Sequence, residues 1–326
     1  MKHIGLALTM LRYRAALMLW MFFFTGIARH AQLTSMHWSY AVGLLALGAS
    51  YVAATSINDI CDQDVDAINH PNRPDRPLIS GRASARDLWT IHLAASVVVL
   101  GCGLALGPTA LLVLSLSLII NHIYSMSPVR LSRRTFLAPL VLCIAYVLLP
   151  YWLGVAAAGQ TLATGDAFLL AAFMVLFLGR INLKDFRDRT GDARYGKPTF
   201  VLRYGKHAAW LVSFTAVLVG NLLLVAALAA DWWAIAAIEV QMAAGLVALV
   251  MLRQVETEAE ELFAIGLAAR MANGVLLTVL ALLTMNGLRA PAVHTALLLM
   301  VMATASCVTF LSFTTRREEV IRAFRG

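Results

Sequence analysis

WSYAVGLLALGASYVAATSI (38–57) carries no charge, and the chain then turns abruptly polar in NDICDQDVDAINHPNRPDRPLISG (58–81). The first stretch is long enough to cross a bilayer as a helix. The second opens with four carboxylates, Asp59, Asp62, Asp64 and Asp66. If the helix continues past Ile57, Asn58, Asp59, Asp62 and Asp66 are related by steps of three and four and share one face, while Asp64 points elsewhere. Unpaired, such charges repel one another and oppose insertion, so packing alone explains them poorly. A hard cation held by oxygen ligands accounts for them better.

The rest of the chain fits a membrane protein. Of 326 residues, 60% are apolar and 13% charged, with a mean hydropathy of +0.76, far from the mixture of a soluble domain. The four cysteines show no CxxC or Cys/His spacing, which argues against a zinc site or a disulfide framework. A net charge of +8 suggests nucleic acid only where the cations gather in one polar domain, and here they are scattered among loops. We therefore expect no nucleic-acid partner.

Apolar segments fall at about 15–30, 38–57, 88–107, 109–124, 136–158, 166–183, 207–229, 232–252, 262–286 and 292–313, ten candidate spans. The first reads as a retained helix, because no small-x-small cleavage site cleanly follows it. With the N-terminus inside, every Lys and Arg except Arg29, Arg180, Arg270 and Arg289 falls in a cytoplasmic loop or terminus. The positive-inside rule then puts both termini, and the 58–81 stretch, on the cytoplasmic face. We expect an integral protein of a bacterial-type inner membrane.

On that same face the sixth span ends in GRINLKDFRDRTGDARYGKPTF (179–200), where Asp185, Asp188 and Asp192 repeat the three-then-four spacing of Asp59, Asp62 and Asp66. The chain thus reads as two related halves, each with an acidic motif at a helix end. Arg73, Arg76, Arg82 and Arg86 in the proline-rich loop, and Lys184, Arg187, Arg189 and Arg194 among the second set, supply cations beside the carboxylates. Carboxylates for a metal together with cations for phosphate suit a diphosphate. Arg180 should point into the bundle rather than into lipid. Glu239 and Arg270 read as interhelical polar contacts, Glu256–Glu261 as a solvated loop, and 316–325 as a basic amphipathic end lying on the inner leaflet. His70, His92, His122, His207 and His294 show no partner that the sequence reveals.

These motifs resemble the UbiA family of intramembrane prenyltransferases, whose NDxxDxxxD signature stands here as Asn58, Asp59, Asp62 and Asp66, and whose second motif stands as Asp185, Asp188 and Asp192. RPLISG (76–81), YSMSPVRL (124–131) and KDFRDRTGDARYGKPT (184–199) resemble further family motifs, with Ile79 and Ser127 in place of prolines. The resemblance covers roughly residues 10–290. It implies an all-α bundle of nine or ten membrane helices around a central cavity, a single transmembrane prenyltransferase domain over 1–326, and an additional C-terminal helix and basic tail at 291–326.

The resemblance also implies a role for each residue. Asn58, Asp59, Asp62, Asp66, Asp185, Asp188 and Asp192 would hold two or more Mg²⁺ ions together with a prenyl diphosphate. Arg76, Tyr124, Arg130 and Lys184 would bind the diphosphate, and Arg12 or Arg14 an acidic acceptor. The acceptor would be a small aromatic or lipid-like molecule. A terpene cyclase would need the same ionising apparatus without an acceptor. A cation transporter would also carry membrane carboxylates, though nearer the midplane.

Overall fold

In lipid, every backbone N–H and C=O must find a partner within the protein, so a chain of long apolar segments folds as helices. The computed structural model describes residues 2–31, 37–71 and 73–325, and only the backbone of Arg14 and of 322–325. Among the described residues all regular structure is helical, and nine helical segments are long and apolar enough to cross a membrane. They match nine of the ten expected segments. The remaining one belongs to a pair, Lys2–Met10 and Ala15–His30, bent by 68°, which makes a tenth span only if it crosses as one. The protein is an integral membrane protein.

The chain forms two compact units. The first comprises Met1–Ala31, Ser35–Leu162 and Asp188–Thr199. It contains α1 (Lys2–Met10), α2 (Tyr13–His30), α3 (Trp38–Cys61), α4 (Gln63–Asn69), α5 (Ala85–Leu106), α6 (Pro108–Ser125), α7 (Leu137–Cys143) and α8 (Leu149–Ala157). A π-helical turn, Ile144–Leu148, joins α7 to α8. Helices α2 and α8 cross closely because each offers a glycine: a Cβ on Gly26 would run into the Tyr151 carbonyl, and one on Gly154 into that of Phe23. Small residues at such a crossing let backbones approach where lipid supplies no hydrophobic drive between helices. Pro71, Pro74 and Pro77 keep the segment between α4 and α5 in turns. Ser84 and Asp87 then close a capping box on α5.

The second unit holds α9 (Thr164–Ile181), α10 (Lys184–Arg187), α12 (Phe200–Leu228), α13 (Trp232–Gln254), α14 (Glu258–Gly287), α15 (Ala292–Thr315) and α16 (Arg317–Arg325), while the intervening α11 (Arg189–Arg194) belongs to the first. Gln241 of α13 ties three helices together here. Its amide donates to Thr278 Oγ1 of α14 at 2.6 Å and accepts from Ser306 Oγ of α15 at 2.6 Å. Otherwise α15 is mostly exposed and apolar, as a lipid-facing helix is. Arg180 lines a cavity of about 70 Å³ with Leu176, Val217, Gln241 and Met271, which agrees with its expected inward direction.

Two expectations change. Glu256 is an exposed loop residue, but the rest of the Glu256–Glu261 run opens a helix: Thr257 caps α14 by accepting from the Glu260 N–H, Glu260 pairs with Arg317 at 2.9 Å, and buried Glu261 pairs with Lys206 at 2.9 Å. Residues 317–321 pack on α14 through Arg317, Val320 and Ile321, an attachment that the reading of a membrane-surface tail did not include. Glu239 does join two helices, accepting from Asn221 at 2.9 and 3.0 Å. Arg270 of α14 donates to the Gly266 carbonyl and reaches across to α15, where it lies over the Phe313 ring.

Candidate functional site

The acidic stretch is not one continuous helix. Helix α3 ends at Cys61, Asp62 takes φ −111° and ψ 17°, and α4 begins at Gln63. The hydrogen-bond ladder still steps across the break, from Asp62 N–H to the Asn58 carbonyl and from Asp66 N–H to that of Asp62, both at 2.8–2.9 Å. The expected shared face therefore survives the bend. Asp59, Asp62 and Asp66 are 2%, 8% and 7% exposed, whereas Asp64 faces solvent.

Three arginines meet these carboxylates. Arg12 Nη2 donates to both oxygens of Asp59, at 2.8 and 2.6 Å. Arg76 Nη1 bridges Asp59 Oδ1, at 2.6 Å, and Asp66 Oδ2. Arg130 Nη2 donates to Asp62 Oδ1 at 2.8 Å and to the Cys61 carbonyl at 2.7 Å, while Asn58 donates to Asp62 Oδ2 at 3.1 Å. Charge-assisted pairs of this kind make such burial tolerable. Even so, burial pushes the Asp66 carboxyl up to about 7, against the pull of Arg76 and with Asp59 and Asp62 adding to the rise. The Nε atoms of Arg12 and Arg130 are buried without a hydrogen-bond partner, so each guanidinium keeps a donor for another acceptor.

The other loop cations do not join this group. Arg73 is tied to Asp75, whose carboxyl it holds well below the usual range, and Arg82 reaches the Pro74 carbonyl. Arg86 is exposed. Tyr124 is half-buried in the last turn of α6. Arg12, expected near an acceptor, stands with the first carboxylates, and the side chain of Arg14 lies outside the described residues. Two turns before Asp59 on the same face of α3, about 12 Å further along its axis, Tyr51 meets Tyr146 of the π-helical turn. Their rings meet edge to face at 6.1 Å.

The second motif is divided between the units. Lys184 and Asp185 lie in α10 of the second unit, whose buried Phe186 packs in a cluster with Leu249, Phe263 and Leu267. Asp188 and Asp192 belong to the first unit, where His70 Nε2 lies 3.5 Å from Asp188 Oδ1 and Lys197 Nζ lies 3.3 Å from Asp192 Oδ1. Asn69 also reaches Asp192, at 3.5 Å. Reading the sequence missed Asn69, His70 and Lys197. The signal for the first two was present, since 62, 66, 69 and 70 continue the same three-and-four stepping.

Among the described residues no group of three or more His, Cys, Asp or Glu side chains converges to hold a metal ion. The donor set is nonetheless one of hard oxygens in company with buried guanidinium N–H groups.

The sequence model described as the UbiA prenyltransferase family matches residues 18–273. The chain belongs to that family. Beyond this UbiA match, the chain is 30% identical over 171 residues to a chloroplastic 2-acylphloroglucinol 4-prenyltransferase of Humulus lupulus, covering 50% of this chain and 41% of that protein. The curated relatives named alongside it are matched over 41% to 60% of their own length. In fold, the chain is similar to a digeranylgeranylglyceryl phosphate synthase, with a TM-score of 0.66 and 17% identity over 87% of this chain and 99% of that one. It is also similar to a UbiA homolog from Archaeoglobus fulgidus bound to DMAPP and Mg²⁺, with a TM-score of 0.59 and 16% identity over 95% of this chain and 99% of that one. The helix α15 lies beyond the residues matched by the family model.

Proposed function

We propose that this UbiA-family protein transfers a prenyl group from a polyprenyl diphosphate to an acceptor bearing an electron-rich aromatic ring, at the cytoplasmic face of a bacterial-type inner membrane. The observation that carries the reading is the set of exchangeable pairs formed by Arg12, Arg76 and Arg130 with Asp59, Asp62 and Asp66. A diphosphate offers a guanidinium the same forked acceptor as a carboxylate, with more charge.

Mg²⁺ fits this donor set. It takes oxygen ligands and is usually held by one or two carboxylates with substrate phosphates completing its shell, so an all-protein cage is not required. Asn58, Asp59, Asp62 and Asp66, with Asp185 and Asp188, are the residues we assign to it. When bound, Mg²⁺ supplies Lewis-acid neutralisation of the diphosphate as the C–O bond breaks. The arginines, freed from the carboxylates, donate to the departing diphosphate and stabilise its charge, with Tyr124 and Lys184 assigned to the same task. The Arg12 and Arg130 Nε groups are the spare donors for that moment. Tyr51 and Tyr146, on the bilayer side of Asp59, would border the first isoprene unit and keep water from the allylic cation.

The aromatic acceptor rests on the similarity to the acylphloroglucinol enzyme. The cyclase alternative draws no support from relatives named as transferases and synthases. The purified protein should be incubated with prenyl diphosphates, aromatic acceptors and Mg²⁺, and the products read by mass spectrometry. We expect a prenylated acceptor and its loss on adding a chelator. A cyclic hydrocarbon formed without acceptor would sink the transferase reading.

A further inference from the structure

Helix α11 starts without a cap of its own. Its N-cap residue, Asp188, makes no capping hydrogen bond from its side chain, although the first-turn N–H groups of a helix have no partner within it. Asn69, 122 residues earlier, supplies one: its Oδ1 accepts from the Gly191 N–H at 2.7 Å. Its Nδ2 donates to Asp192 Oδ1 at 3.5 Å. The approach is so close that a Cβ on residue 191 would lie 2.6 Å from Asn69 Oδ1 and 2.7 Å from its Cγ, so any larger residue would displace the Asn69 side chain. His70, the next residue, meets Asp188. One turn back along α4, Asp66 takes part in the arginine-held group.

We propose that Asn69 is a positioning residue. By capping α11 from α4, it fixes Asp188 and Asp192 at a set place relative to Asp62 and Asp66. The inference rests on the proposed function for the sense of that placement, because it makes the spacing of the two acidic motifs the property being held. Removing a partner that orients a metal ligand from behind commonly costs about 10- to 100-fold in metal affinity.

The test uses the full-length protein and two readouts. In Mg²⁺-free hydrogen–deuterium exchange, Asn69→Ala should speed exchange at residues 189–194 about tenfold. In Mg²⁺ titrations of activity, it should raise the half-saturating concentration about tenfold, while kcat at saturating Mg²⁺ stays within about twofold. Gly191→Ala should behave alike, and Asn69→Ala combined with it should be no worse than Gly191→Ala alone, since the shorter side chain removes the clash. Unchanged exchange at 189–194 in both single variants would overturn the cap. Faster exchange with an unmoved Mg²⁺ half-saturation would reduce Asn69 to a structural role and overturn the positioning claim. A wild-type rate indifferent to Mg²⁺ would sink the proposed function, and the positioning role with it, whatever the exchange data say of the cap.

Discussion

The two acidic motifs have the same spacing, but different groups answer their charge. Asp59, Asp62 and Asp66 are met by guanidinium groups from three separate parts of the chain, Arg12, Arg76 and Arg130. Asp192, only 1% exposed, is met by an amide and an ammonium, Asn69 and Lys197, and Asp188 by an imidazole. A guanidinium can exchange a carboxylate for a phosphate without moving its backbone. The Asn69 contact includes a backbone N–H of α11, so losing it loosens that helix. Equal spacing thus hides unequal work, with the first motif built for exchange and the second anchored at its far end.

This contrast can be broken at its strongest point first. Asp62→Ala should abolish turnover, with a fall of about 10³-fold or more, equivalent to roughly 4 kcal/mol of transition-state stabilisation. The variant should keep its helical circular dichroism and its elution as a folded species in detergent. Near-normal Mg²⁺-dependent activity would refute the assignment. Arg76→Ala should come next, lowering kcat/KM about 10²-fold, roughly 2.7 kcal/mol. It should also lower the thermal midpoint, because Asp59 and Asp66 both lose a partner in a buried setting.

Asp192→Asn sharpens the comparison. If that position is an anchor, the amide still accepts from Asn69 and Lys197, and the rate at saturating Mg²⁺ should stay within about tenfold of wild type, well above the level of Asp62→Ala. Losses of equal size at the two sites would return Asp192 to the metal ligands. The smallest effect belongs to Asp64→Ala, which should change kcat/KM by less than about twofold, since exposed substitutions away from special contacts are near neutral. A steady-state assay beside Asp62→Ala decides it.

Much of this was legible in the chain. Periodicity alone put Asp59, Asp62 and Asp66 on one side and Asp64 on the other, and the exposures agree. The break at Asp62 was not legible, because nothing in NDICDQDVD forbids another helical turn and the bend is set by tertiary partners. Nor could local spacing pair Arg12 with Asp59, 47 residues apart. The misread Glu256–Glu261 run is a different kind of miss. Thr257 with Glu260 three residues on is a capping-box signature, and it announced a helix start where charge density suggested a loop. The same face continues to Asn69 and His70, but the sequence showed no partner for His70, because Gly191 and Asp188 come to that face only in the fold.

The bend at Asp62 has an electrostatic consequence that no side chain provides. Ending α3 at Cys61 brings the negative end of a 24-residue helix dipole, worth about half an elementary charge, to the place where Asp59 and Asp62 already stand. Arg130 responds to both at once, through the Cys61 carbonyl and Asp62. A straight helix running on to Asn69 would have carried that pole about 12 Å further along, away from the site. The backbone therefore adds a fixed partial negative charge here. Replacing all three aspartates with asparagine sets that half charge alone against Arg12, Arg76 and Arg130, so calorimetry should show divalent-cation binding lost, and binding kept at wild-type strength would mean that the aspartates do not hold the metal.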